Sequence, residues 1–139
     1  MLCLHHEKLG RPLAQELLAH DWLDSAHAAG RVLRRCLNEF AHDTWPGRDH
    51  LDDLLEDDEE IRLVASLLFE APAIDDPLKV AHEGLRRLQA RALEPRLRQI
   101  ELEIAAKQTE GAADIQPLLK SRTDLQRQLR QPPVLAAGV

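Results

Sequence analysis

From Pro77 to Lys107 apolar residues recur at helical spacing, and a proline stands in the middle of the run. Leu78, Ala81, Leu85, Leu88 and Ala92 share one face; beyond Pro95 the stripe restarts at Leu97, Ile100 and Ile104, with Leu93 leading into it. Asp76 and Pro77 open such a helix well. The carboxylate can take an orphan backbone donor, and proline at the first helical position has no needed donor to lose. Pro95 is the opposite case: inside a helix it removes a donor and crowds the carbonyl four residues back, at a cost of about 3 kcal/mol. The segment commits the chain to long helices, and Pro95 marks the expected hinge between two parts.

The composition agrees with an all-α fold. Tyrosine is absent, aromatics are 3%, and Leu, Ala, Arg, Glu and Gln dominate the 139 residues. That length buries one core plus an appendage. No apolar run approaches the roughly 20 residues of a bilayer span, and no secretory signal is visible. Cys3 and Cys36 offer neither a disulfide framework nor a metal-ligand pair, so a cytoplasmic setting is expected. The net charge of −6 argues against strong nucleic-acid binding. Residues 1–95 hold 11 basic and 19 acidic side chains, net −8, whereas 96–139 hold 7 and 5, net +2. The sign changes at Pro95.

Along the chain, Met1 to Leu9 reads as a short helical fragment stopped by Gly10, and Pro12 opens a second helix carrying Leu13, Leu17 and Leu18. Asp21–Asp24 makes a corner. A third helix is expected from Ala26 to Ala41, with Val32, Leu33, Cys36, Leu37 and Phe40 on one face and Gly30 as a tolerated cost. Pro46-Gly47 marks a loop. Eight acids lie between Asp49 and Glu60. They lack the alternation and central glycine of a calcium loop, so Asp57 to Glu60 read as a dipole-matched helix start, followed by a buried stripe of Ile61, Val64, Leu67 and Leu68. The basic residues Arg86, Arg87, Arg91, Arg96 and Arg98, interleaved with Glu83, Glu94 and Glu101, read as a solvated face.

After a stop at Gly111, Asp114 caps a last helix with Ile115, Leu118, Leu119, Leu125 and Leu129 on its face. The two final helices form an αα-hairpin with Ile104 near Ile115 or Leu118, Ile100 near Leu119, and Leu97 near Leu125. So thin a seam is marginal alone and calls for a partner. The division expected is a helical bundle over 1–94, the hairpin over 95–131 and a flexible tail over 132–139. The seven histidines fit no ligand or catalytic spacing, and Trp22 and Trp45 read as packing anchors. No metal, cofactor, catalytic residue or small-molecule substrate is expected.

The stretches "LCLHHEKL", "DWLDSAHAAGRVLRRCLNEF" and "LRRLQARALEPRLRQIELEIAAKQTEGAADIQPLLKSRTDLQRQL" together resemble the C-terminal, helicase-binding domain of bacterial DNA primase. His6-Glu7-Lys8-Leu9 stands for the family's early turn, with Glu7 where proline is usual, and Pro95 falls where charged residues are usual. The resemblance implies a non-catalytic docking domain. Its partner would be the N-terminal domains of the hexameric replicative helicase, joining primer synthesis to the replication fork in the primosome. The nucleotidyltransferase activity would belong to zinc-ribbon and RNA-polymerising domains outside this chain. Residues expected at the partner are Arg96, Gln99, Glu103, Lys107, Gln108, Leu118, Leu119, Lys120, Arg122 and Gln126, with Pro95 as hinge. Two other readings stand beside it: the N-terminal domain of a replicative helicase, and a helical adaptor unconnected with replication.

Overall fold

Asp57, just before an apolar run, has an oxygen placed for the free backbone donors of a helix start. In the computed structural model its Oδ1 accepts the Glu60 N–H at 2.9 Å, and the helix Asp58–Phe69 (α4) follows. The structure describes residues 2–69, 74–111, 114–131 and 133–135. Among them the elements are helical throughout, with no strand. Besides α4 they are α1 (Leu2–His5), a 3-10 turn Glu7–Leu9, α2 (Gly10–Leu17), α3 (Ala28–Ala41), a 3-10 segment Arg48–Leu54, α5 (Pro77–Thr109) and α6 (Gln116–Arg130). The all-α expectation is met. No helix among the described residues is long and apolar enough to cross a membrane.

The chain divides into two compact units, Met1–Gly84 with Val134–Val139, and Leu85–Pro133. In the first, α3 packs on α2 and on α4. Leu4, Val32, Cys36, Leu51 and Val64 form a buried cluster, edged by Trp45, Leu54, Leu55, Leu67 and Leu68. Trp45 stacks on Phe40 at 4.4 Å between ring centroids, and buried Trp22 stacks on His20 at 3.9 Å. Both tryptophans serve packing. His5 ties α1 into this body: its Nε2 donates to the Leu67 carbonyl at 3.0 Å, which leaves Nδ1 to accept from Arg48 at 3.4 Å. Cys3 and Cys36 line an apolar cavity of about 150 Å³ between α1, α3 and α4. Burial pushes the Cys3 thiol up to about 11 and the Cys36 thiol up to about 12, so both stay protonated and unreactive at neutral pH.

A network around Glu60 joins α3 to α4. Glu60 is 0% exposed. Its carboxylate accepts from Arg35 through both terminal guanidinium nitrogens, from Arg31 Nε at 3.1 Å and from the Glu56 N–H at 3.2 Å. Arg35 also donates to the Leu54 carbonyl at 2.9 Å and pairs with Glu56 at 3.1 Å. Arg31 also donates to the carbonyls of Ser25 and Ala26, both at 3.2 Å, and lies 3.6 Å from Asp57. The acidic run is therefore a dipole-matched helix start, as expected, and in addition the anchor of two arginines.

Several local expectations are corrected. Ile61 is 49% exposed, since the inward position beside Val64 is taken by Glu60. Gly10 does not stop a helix; it begins α2, and a Cβ there would stand 2.4 Å from the Phe40 ring. Gly30 is a requirement rather than a tolerated cost, because a Cβ would sit 2.0 Å from the Asp24 carbonyl oxygen at the 21–24 corner. Within the segment expected as a flexible tail, Leu135 is buried, and its N–H donates to His82 Nε2 at 3.1 Å; residue 132 lies outside the described residues. Residues 136–139 and Met1 lie outside the described residues.

The hydrogen bond from Arg35 brings the Glu60 carboxyl down to about 2, helped by the Glu56 N–H and Arg31 and opposed by burial. A carboxyl lowered on folding contributes stability that is complete above its unfolded value, 4.5 here, and is lost as pH falls through about 2. Glu60→Gln is therefore expected to lower Tm at pH 7 well below any effect of Asp53→Asn on the exposed 3-10 segment. The gap between Glu60→Gln and the native chain closes between about pH 4.5 and pH 2, as thermal scans across that range would record.

Candidate interaction surface on the C-terminal helices

The second unit is built from residues 85–109 of α5 and from α6. Asp76 caps α5 as expected, its Oδ1 accepting the Lys79 N–H at 3.1 Å, and Pro77 is the first helical residue. The helix then runs through Pro95 to Thr109 without interruption, about 50 Å at 1.5 Å per residue. Gly111, with φ +72°, turns the chain in the left-handed region. The cap of α6 departs from expectation. Ile115 is the N-cap residue, and Asp114 Oδ1 only reaches the Gln116 N–H at 3.4 Å.

Leu85, Gln89, Leu93 and Ile104 are buried on α5, and Leu88, Leu97 and Ile100 are half-buried. Gln89 Nε2 donates to the Gln128 carbonyl at 2.8 Å, joining the early part of one helix to the late part of the other in antiparallel fashion. α6 itself has no buried residue. Ile115, Leu118, Leu119, Leu125 and Leu129 are each half-buried, so its apolar face is only partly covered. Such a face leaves hydrophobic area in water that a partner could remove at roughly 25 cal/mol per Å².

The residues expected at a partner are arranged as follows. Arg96, Gln99, Glu103, Lys107, Gln108 and Lys120 are exposed; Leu118, Leu119, Arg122 and Gln126 are half-buried. Gln99 donates to Glu103 at 3.4 Å across one helical turn. Arg122 Nε is shut off from water without an acceptor among the described residues, an unmet donor. Leu102, at 62% exposure, was absent from the expected set. Its position on the side of α5 away from the buried stripe was the signal available in the sequence. No three His, Cys, Asp or Glu side chains converge on a metal position among the described residues.

Pro95 differs from expectation. The units divide between Gly84 and Leu85, so Pro95 lies inside the second unit and not at its border, and the domain limits 1–94 and 95–131 move accordingly. The reason is the burial of Leu85, Gln89 and Leu93, which tie the segment before Pro95 to the hairpin. Pro95 and Arg91 are both exposed, so water can take the Arg91 carbonyl that loses its helical donor.

Pro95→Ala restores that donor and is expected to stabilise the chain by up to about 3 kcal/mol. Gly84→Ala, where a Cβ meets open space, is expected to add up to about 1 kcal/mol. Both shifts are read from denaturant midpoints, and a loss of stability in either would contradict the helix geometry. Comparison of the chain with protein-family models, with curated proteins and with solved structures finds no match.

Proposed function

We propose that this chain is a non-catalytic docking domain, of the kind that the C-terminal domain of bacterial DNA primase supplies, whose partner is the N-terminal region of the hexameric replicative helicase. The resemblance rests on leucine and charge patterning along nearly the whole chain. The structural observation that carries a docking role is α6, a helix of 15 residues without one buried side chain. Its four leucines, and Ile115 at its N-cap, are only partly covered, which favours a surface completed by another protein over a finished core. Leu118 and Leu119 are the apolar anchors in this reading, with Lys107, Lys120 and Arg122 as the polar rim. A cytoplasmic setting and a catalytic parent protein go with it.

The test is affinity for the isolated N-terminal domains of the helicase, measured by surface plasmon resonance on the whole chain. Leu118→Ser with Leu119→Ser is expected to weaken binding by at least about tenfold, the effect of truncating a buried apolar anchor. Unchanged affinity in that variant, or no binding by the native chain, would overturn the reading.

A further inference from the structure

The second unit carries 10 basic and 6 acidic side chains, net +4, while the first carries 8 and 18, net −10. Three of those ten basic side chains fall on one line of α5. Arg87, Arg91, Arg98 and Leu102 stand at i, i+4, i+11 and i+15, within roughly 60° of one another around the helix at 100° per residue. That line is opposite Leu85, Gln89 and Leu93, and all four of its members are exposed. Among the described residues none of the three arginines makes a hydrogen bond or an ion pair, although Glu94 lies one turn from Arg98. A visitor would break no internal bond to reach them.

We propose that this outward face of α5 is a docking strip for an acidic amphipathic helix of another protein. Arginine suits the role, since its planar fork takes a carboxylate through two donors at once. The partner helix would carry carboxylates at the arginine spacing, about 6 Å and then about 10 Å apart along the axis, and an apolar residue to cover Leu102. Nucleic acid fits less well. The chain is −6 overall and a polyanion is repelled at long range, Glu94 and Glu101 border the strip, and Leu102 has nothing to meet on a phosphate backbone. A second copy of this chain fits less well too. Its acids Asp49, Asp52 and Asp53 sit on a seven-residue 3-10 segment too short for the spacing, and Asp57, Glu59 and Glu60 are held by Arg31. The exposed acids beside the strip on α5, Glu83, Glu94 and Glu101, stand eleven and seven residues apart and match the four-and-seven spacing of the arginines at two positions only. The strip is a second face, away from Leu118 and Leu119, and stands or falls independently of the helicase.

The experiment titrates the whole chain into a fluorescent helical peptide of about 20 residues, with Glu at the arginine spacing and Leu at the Leu102 position, at about 20 and about 300 mM NaCl. Binding that weakens with salt is expected. Arg87→Glu with Arg91→Glu and Arg98→Glu should weaken it by at least about tenfold, and the charge-matched Lys8→Glu with Arg62→Glu and Lys79→Glu by less than about twofold. Leu102→Ser should weaken it without changing the salt dependence. No binding, equal binding of a peptide with the same residues in scrambled order, or equal losses in the two triple variants would overturn the proposal. So would tighter binding of a single-stranded DNA oligonucleotide than of the peptide, or salt-sensitive self-association of the chain in sedimentation.

Discussion

The body of this protein is organised around one carboxylate. Glu60 has no access to water, and a charge in that position is tolerated only when its lone pairs are met by good donors. Here the donors come from Arg31 and Arg35, one turn apart on α3, and from the backbone just before α4. The demand fixes the rotation and height of α4 against α3. It also draws in the 21–27 corner through the Ser25 and Ala26 carbonyls and the 3-10 segment through the Leu54 carbonyl. Apolar packing of Val32, Cys36 and Val64 supplies the bulk of the burial, but burial alone has no direction. The ion network supplies it.

Nothing described in the second unit matches the Glu60 network. Its described order rests on a few buried side chains of α5 and on the amide link from Gln89 to Gln128. A two-helix unit whose buried apolar residues come from α5 alone, with the leucines of α6 only partly covered, sits near the lower limit of what a core can support. That weakness, combined with a net charge opposite to that of the first unit, gives the chain two surfaces of different character within a small molecule.

Much of this was legible in the sequence because helical spacing is a strong signal. The Asp76-Pro77 start, the stop at Gly111 and the apolar faces of α3 and α5 follow from local chemistry alone. What was not legible depended on contacts distant in sequence. Nothing near Glu60 separates it from Glu59, yet one is buried and the other exposed, because the arginines that receive it, Arg31 and Arg35, lie 29 and 25 positions away. Gly10 and Gly30 read as ordinary punctuation until the Phe40 ring and the Asp24 carbonyl are set against them. Pro95 misled in the other direction: its local penalty is real, but at an exposed position where water can reach the freed carbonyl it costs too little to end a helix in which Leu93 is buried and Leu97 half-buried.

The return of Leu135 to His82 alters the topology of the molecule. The chain leaves the first unit after Gly84 and rejoins it at Val134, so the helical pair is an insertion with both ends anchored, not a terminal appendage. Opening the pair then releases a closed loop and not a free end, and loop entropy rises only with the logarithm of length. A visitor that ordered the pair would meet a segment whose unfolded freedom had already been curtailed by the body that holds its two ends.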